Sequence, residues 1–192
     1  MKNIIKQSFK LTQSERSIIK KHRPLCIWFE GLSGSGKSTL INLLDIYLNN
    51  KGMHTYALDG DNLRFGLNSD LGFNNEDRNE NIRRASEVAS LMVDAGLIVL
   101  AGFITPLESQ RESIRSKFKN GQFIEIFLST PLSVCEDRDV KGLYKKARKN
   151  EITNFTGISS PFELSKNAEL VIDTSCYDPH DSLQEIINFL KL

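Results

Sequence analysis

A nine-residue loop constrains this chain more than any other feature of its sequence. The apolar run of residues 25–29 leads directly into Gly-Leu-Ser-Gly-Ser-Gly-Lys-Ser-Thr, and an apolar segment with helical spacing follows. In this Gly-x-x-x-x-Gly-Lys-Ser pattern, glycines let backbone N–H groups surround phosphate oxygens, the lysine reaches the β and γ phosphates, and the serine binds Mg²⁺. An accidental glycine-rich turn is the alternative, but the flanking strand and helix patterns argue against it. The residues predicted to bind a nucleoside triphosphate are Gly31, Leu32, Ser33, Gly34, Ser35, Gly36, Lys37, Ser38 and Thr39.

Apolar runs alternate with longer amphipathic segments along the rest of the chain. Strands are predicted at residues 25–29, 54–58, 97–100, 123–128 and 169–172. Because an alternating strand and helix order favours parallel pairing through right-handed crossovers, the helices should cover both faces of one sheet. The predicted fold is α/β, the P-loop NTPase fold, with a central, mainly parallel five-stranded sheet. Residues 59–62 are predicted to form a tight turn, and residues 139–161 show no clean periodicity.

Composition excludes several classes of function. A net charge of +1 over 192 residues gives no global field for nucleic acid or an anionic membrane, and no apolar run approaches membrane-spanning length. The first six residues are too weakly apolar for a signal peptide. Cys26, Cys135 and Cys176 are odd in number and far apart, which predicts reduced thiols and a cytoplasmic protein. The scattered histidines give no zinc pattern.

A second set of motifs separates this chain from other nucleotide-binding proteins. These motifs lie at residues 59–64, 66–68, 70–73, 77–84, 138–148 and 155–158. In combination they resemble the adenylylsulfate kinase family over nearly all of residues 25–174. The resemblance implies transfer of the γ-phosphoryl group of ATP to the 3′-hydroxyl of adenosine 5′-phosphosulfate (APS), with Mg²⁺ required. It also implies a homodimer, an N-terminal extension at residues 1–24, and a kinase domain at residues 25–192 with a lid near residues 139–161.

Several polar residues suit this chemistry on their own. Asp61 follows the second predicted strand, at the edge where parallel α/β sheets bind ligands. A carboxylate there can accept the proton of an attacking hydroxyl or orient a Mg²⁺-bound water, and capping of the following helix is the alternative. Arg64 and Arg78 offer planar donor sets to anionic oxygens. Arg78 and Asn81 continue an apolar helical stripe, so both should face inward, although a surface ion-pair helix is the alternative for Arg78.

The resemblance assigns further contacts. Phe73 and Phe155 match the aromatic pair that stacks on the substrate adenine, although each alone would more often be a core residue. The basic segment at residues 138–149 matches a lid that excludes water, and a solvated charged face or a nucleic-acid patch is the alternative. Arg138 is implied on the ATP side, Lys37 and Asp61 are implied to be catalytic, and Ser38 and Asp61 are implied to hold Mg²⁺. The implied APS contacts are Asp61, Arg64, Phe73, Arg78, Asn81, Ile104, Thr105, Lys141, Leu143 and Phe155.

The chain departs from the family pattern at four points. Thr105 replaces a serine associated with a phosphoenzyme, so direct in-line transfer is expected. Glu30 replaces a threonine beside the phosphate loop, where a carboxylate is unexpected unless it points away. Glu163 lacks the usual following proline, and no aspartate closes the strand at residues 97–100. A kinase for another nucleotide or a sugar, and a non-catalytic nucleotide-binding module, are therefore alternatives, although the second would not need both Lys37 and Asp61.

Overall fold

A computed structural model describes residue 5 and residues 7–192 of this chain. The signal-peptide and extension predictions for residues 1–4 and 6 lie outside the described residues. The elements are α1 (Gln13–Lys20), β1 (Leu25–Glu30), α2 (Lys37–Asn50), β2 (Thr55–Asp59), α3 (Gly60–Leu63), α4 (Asn75–Asp94), β3 (Ile98–Gly102), α5 (Glu108–Arg115), β4 (Phe123–Leu128), α6 (Leu132–Arg138), α7 (Leu143–Arg148), β5 (Leu170–Ile172) and α8 (Pro179–Leu190). None of these helices combines the length and the apolar character that crossing a membrane requires.

The five strands form one parallel sheet in the order β2-β3-β1-β4-β5, which confirms the predicted α/β fold. Strand β1 lies at the centre and pairs with β3 on one side and β4 on the other. Because all five strands run in one direction, the loops that follow them lie at one edge of the sheet. This carboxyl edge holds the predicted site.

Two apolar layers enclose the sheet. Alternate residues of β1 point to opposite faces, so Ile27 and Phe29 pack with α2 and α8, whereas Cys26 and Trp28 pack with α4. Every residue of β1 is buried, as is every residue of β3 and β4. Burial on both faces explains why these strands read as continuous apolar runs rather than as alternating ones.

Two local predictions were wrong. The segment predicted as a tight turn is the short helix α3, because Asp59 accepts hydrogen bonds from two backbone N–H groups at its start. Residues 139–161 are not wholly irregular, since they contain α7. Its first turn is capped by Asp139, whose carboxylate accepts from the backbone N–H groups of Tyr144 and Lys145. Tyr144 and Ala147 are buried, so this segment packs onto the rest of the protein.

Candidate active site

The phosphate-binding loop joins β1 to the first residue of α2. Gly31 has φ of +142°, and a Cβ there would lie 2.8 Å from the carbonyl oxygen of Leu128. Gly36 caps α2 with φ of +100°. Both glycines are therefore required by backbone conformation, as the motif predicted. The loop places its backbone N–H groups at the N-terminus of a 14-residue helix, where anions are favoured.

Lys37 lies inside this loop. Its Nζ donates to the carbonyl oxygens of Gly31 at 2.9 Å and Leu32 at 2.7 Å. Burial lowers the pKa of Lys37 to about 8, and the neighbouring Cys135 and Asp59 oppose that change. The ammonium group therefore sits where phosphate oxygens would replace the carbonyl oxygens as partners.

Ser38 contacts a carboxylate that the sequence reasoning missed. Its Oγ donates to Oδ2 of Asp59 at 3.2 Å, whereas the predicted partner, Asp61, hydrogen bonds to Lys141 instead. Asp59 is the last residue of β2, so it is fixed at the carboxyl edge of the sheet. The alternative role of helix capping also belongs to Asp59 rather than Asp61. The two aspartates of the Asp-Gly-Asp sequence were the available signal, but their spacing alone could not distinguish them.

Asp61, which is predicted to be catalytic, forms an ion pair with Lys141 of the predicted lid. The Lys141 Nζ donates to Oδ2 of Asp61 at 2.5 Å, although the two residues are 80 positions apart. Both side chains are more than half exposed, at 63% for Lys141 and 58% for Asp61. The hydrogen bond to Asp61 raises the pKa of Lys141. The carboxylate is therefore accessible, and a cation from the lid offsets its charge.

Arg64, Phe73 and Arg78, which are predicted APS contacts, lie close to one another. The Arg64 guanidinium lies 4.5 Å from the centre of the Phe73 ring and donates to the carbonyl oxygens of residues 71 and 72. Arg78 donates to the carbonyl oxygen of Phe73 at 2.8 Å and to Oγ1 of Thr156 at 3.1 Å. Burial, and then the charge of Arg64, lower the pKa of Arg78. Arg78 is therefore not part of a surface ion-pair face of the helix, which was the alternative prediction for this residue.

The two predicted aromatic residues differ in exposure. Phe73 is 63% exposed, whereas Phe155 is 7% exposed and meets the Tyr144 ring edge-on at 4.9 Å between centroids. Phe155 belongs to a small apolar cluster with Leu32 of the phosphate loop, and the half-buried Leu143 packs against that cluster. The Tyr144 hydroxyl donates to the carbonyl oxygen of residue 33 at 2.9 Å. Phe155 is therefore a core residue in this structure, which was the alternative to adenine stacking. The lid segment packs directly on the phosphate loop.

Two predicted APS contacts are turned into the protein. Asn81 faces inward as expected, but it is only 5% exposed and its Oδ1 accepts from Nδ2 of Asn68 at 2.8 Å. Thr105 is fully buried with φ of +45°, and its hydroxyl accepts from Nε1 of Trp28 at 2.9 Å. Ile104 beside it is half-buried. Neither the Asn81 nor the Thr105 side chain lines the open site, because each completes a buried hydrogen bond that the sequence alone did not reveal.

Glu30 points away from the phosphate loop, as expected of a carboxylate at that position. It lies on the same sheet face as Trp28 and is fully buried. Its nearest cation is Arg111 of α5, at 3.5 Å. Burial, and then the charge of Glu125, raise the pKa of Glu30 to about 9, and Arg111 opposes that change.

Arg138 braces the other side of the phosphate loop. Its guanidinium donates to the carbonyl oxygen of Gly34 at 3.3 Å and to both the hydroxyl and the carbonyl oxygen of Thr174. Thr174 in turn donates to the carbonyl oxygen of Ser35 at 3.0 Å. This arrangement places Arg138 beside the phosphate loop.

Comparison with known proteins identifies the same family that the sequence motifs resemble. The sequence model described as "Adenylylsulphate kinase" matches residues 23–173. A protein named adenylyl-sulfate kinase from Shewanella sp. (strain MR-7) is 55% identical over 190 residues, which cover 99% of this chain and 93% of that protein.

Two solved structures extend the comparison. The APS kinase of Mycobacterium tuberculosis in complex with AMPPNP and APS is 48% identical, with a TM-score of 0.84 over 88% of this chain and 99% of that chain. The hexameric APS kinase from Thiobacillus denitrificans is 28% identical with a TM-score of 0.69, and the match covers 93% of this chain but 30% of that longer one.

Proposed function

This chain belongs to the adenylylsulphate kinase family, and from that premise we propose which of its residues transfer the γ-phosphoryl group of ATP to the 3′-hydroxyl of APS. The chain is an ATP-dependent kinase of this family. The observation that carries the assignment is that Lys37 of the phosphate loop and Asp61 after β2 share the carboxyl edge of the sheet, with Lys141 of the lid paired to Asp61.

ATP binds at the phosphate loop in this proposal. The backbone N–H groups of residues 31–39 surround the phosphates, Lys37 exchanges its carbonyl partners for β and γ phosphate oxygens, and Arg138 lies on the same side of the loop. Because Lys37 is partly buried, its charge acts there with little screening by solvent. The role of Lys37 is to offset negative charge as the phosphoryl group leaves ADP.

The residues at the end of β2 fit a hard cation such as Mg²⁺. The Ser38 hydroxyl and the Asp59 carboxylate are oxygen ligands within 3.2 Å of each other, and no group of three or more metal-ligating side chains occurs in the described part of the chain. Mg²⁺ is commonly held in this way, by one or two side chains together with phosphate oxygens. When bound, it would supply positive charge that offsets the charge of the phosphates. Asp61 remains the candidate for a further, water-mediated contact.

Asp61 acts as the general base for the acceptor. Its carboxylate takes the proton of the APS 3′-hydroxyl, whose oxygen bonds to the γ-phosphorus while the bond from that phosphorus to the ADP oxygen breaks. Arg64 and Arg78 bind the phosphosulfate oxygens, and Phe73 offers an exposed ring to the adenine. Phe155 joins this contact only if the Tyr144 ring or the lid shifts, because it is otherwise packed.

Transfer is direct rather than through a covalent phosphothreonine. The Thr105 hydroxyl is fully buried and hydrogen bonded to Trp28, so it is out of reach of a nucleotide phosphate. The lid at residues 139–161 excludes water by packing on the phosphate loop, and it belongs to the kinase domain of residues 25–192. Residues 7–24, which include α1, precede that domain in the chain.

The chain functions as a homodimer in the cytoplasm in this proposal. Helix α1 attaches to the core through polar contacts of Gln13 and Arg16, and none of its residues is buried. Ile18 and Ile19 are 73% and 77% exposed, which would suit burial against a second copy. Free thiols at all three cysteines suit a reducing compartment. Light scattering of the full chain tests the dimer, and a monomer or a hexamer would contradict it.

A coupled ADP-release assay tests the activity. With APS, ATP and Mg²⁺ we expect turnover at micromolar APS, and with adenosine 5′-monophosphate, gluconate or shikimate as acceptors we expect none above background. Identification of 3′-phosphoadenosine 5′-phosphosulfate as the product completes the test. A higher kcat/KM for another acceptor would contradict the assignment.

A further inference from the structure

A buried arginine joins two segments that border the site. Arg111 of α5 is only 2% exposed. Its Nη1 donates to the carbonyl oxygen of Thr105 at 2.8 Å, and its Nη2 donates to the carbonyl oxygen of Glu163 at 2.8 Å. Thr105 lies in the loop after β3, and Glu163 lies in the segment that leaves the lid. One guanidinium group therefore holds the main chain of both segments.

Further hydrogen bonds close this junction. The backbone N–H of Glu163 donates to the carbonyl oxygen of Pro106 at 2.8 Å, and the N–H of Glu108 donates to the Glu163 carboxylate at 2.7 Å. Glu108 also accepts from Arg111 at 2.9 Å, which offsets the buried positive charge. The lid exit therefore cannot shift independently of the loop after β3.

Glu30 connects the junction to the phosphate loop. It immediately precedes that loop, and its Oε2 lies 3.5 Å from Nη1 of Arg111. Its Oε1 is buried and has no hydrogen-bond partner in the described part of the chain. The charged groups that act on Glu30 are Arg111 of α5 and Glu125 of β4. Glu108 pairs with Arg111, and Arg115 donates to Glu125 at 3.0 Å.

The charge state of Glu30 follows from these neighbours. Burial and the adjacent Glu125 raise its pKa to about 9, so the carboxyl group is neutral near pH 7. A neutral carboxyl can donate a hydrogen bond to Glu125 and still accept from Arg111. The Glu30–Arg111 contact at 3.5 Å is longer than the Arg111 hydrogen bonds to the two carbonyl oxygens.

We propose that Arg111 and Glu30 form a positioning pair that fixes the lid exit and the loop after β3 against the start of the phosphate loop, and so keeps water from competing with APS. This inference rests on the proposed kinase function. Neither residue touches a nucleotide in this proposal. Arg111 acts through the main chain of residues 105 and 163, and Glu30 acts through Arg111. Misplacement of the lid by about 1 Å can cost on the order of 10²-fold in transfer. Water attack at the γ-phosphorus, which releases ADP and phosphate, does not depend on the acceptor position.

The experiment compares acceptor-independent ADP release with APS-dependent transfer. Arg111→Lys keeps a buried charge but lacks the fork that bonds both carbonyl oxygens, and Glu163→Ala loosens the same junction from its exposed side. Arg115→Met is the matched control, because Arg115 lies one turn later on α5 and contacts Glu169 and Glu125 but not residue 163. Glu30→Gln keeps a neutral side chain of similar size that can still form hydrogen bonds. Thermal unfolding is measured for each variant.

We expect Arg111→Lys to lower transfer roughly 10²-fold while water attack falls far less, so that the ratio of hydrolysis to transfer rises. Glu163→Ala should raise this ratio by a smaller factor, Arg115→Met should lower the Tm at an unchanged ratio, and Glu30→Gln should keep the wild-type ratio. An unchanged ratio in both Arg111→Lys and Glu163→Ala, or an equal rise in Arg115→Met, would overturn the inference. Wild-type protein that binds ATP but does not phosphorylate APS would instead refute the proposed function.

Discussion

Replacement of Asp61 by asparagine gives the most direct test of the proposed mechanism. The amide keeps the size of the side chain and can still contact Lys141, but it cannot accept a proton at neutral pH. General base catalysis contributes about 10²–10⁴-fold to a rate, so kcat should fall by that factor, which is about 3–5 kcal/mol of transition-state free energy. The KM for ATP should change little, because the triphosphate contacts come from the phosphate loop.

The same substitution should change the free energy of unfolding very little. Asp61 and Lys141 form an ion pair in which both side chains are more than half exposed. Such pairs contribute about 0–1 kcal/mol to the free energy of unfolding, which corresponds to a Tm change of no more than about 2–4 °C in a chain of this size. The loss of transition-state stabilisation should therefore exceed the loss of folding stability by several kcal/mol.

Asp94→Asn provides a matched control. Asp94 is also 58% exposed and pairs with Arg16 at 2.8 Å, but it lies at the end of α4, where α1 docks. The ADP-release assay and thermal unfolding are run on both variants, with nucleotide binding measured by calorimetry. The reasoning fails if the Asp61→Asn variant keeps more than about a tenth of wild-type kcat. It fails equally if ATP binding is lost together with turnover, since Asp61 would then support the donor site.

Three further outcomes are expected. Asp59→Asn should raise the Mg²⁺ concentration needed for half-maximal rate by roughly 10–100-fold, and an unchanged requirement would remove Asp59 from the cation site. ATP favours the charged form of Lys37, whose pKa is lowered to about 8. The ATP affinity of the wild-type protein should therefore fall as the pH rises through about 8. The Lys37→Arg variant should show no such fall when binding is titrated from pH 7 to 9.5. A thiol reagent should modify Cys176 rapidly in the native protein and the buried Cys26 and Cys135 only on unfolding, and rapid modification of all three would contradict their burial.

Features set by local backbone geometry were predictable from the sequence. The phosphate loop needs glycine where φ is positive, as at Gly31, so its spacing in the sequence reports its conformation directly. The parallel sheet was predictable because strands such as β3 are buried on both faces and read as unbroken apolar runs. A capping box at Thr12 and Glu15 likewise begins α1, and such a Thr-x-x-Glu pattern can be read directly from a sequence.

Features set by contacts between distant segments were not predictable in this way. Thr105 is turned inward because Trp28, 77 residues away, donates to its hydroxyl, and only the adjacency of β1 and β3 brings them together. Asn81 meets Asn68 across the α4 surface for the same kind of reason. Helix α7 has six residues, too few for a periodic pattern, and depends on a capping carboxylate and on packing against the phosphate loop.

Arg78 has a consequence for how a flat base would be selected. Its guanidinium spans from the Phe73 carbonyl oxygen to the Thr156 hydroxyl, so one side chain ties the segment before α4 to the segment that follows α7. The distance between the Phe73 ring, which is proposed to contact the adenine, and the segment at residue 156 is therefore limited by the reach of this side chain. A base that stacks on Phe73 is therefore confined on a second side only while the Arg78 contact to Thr156 is made.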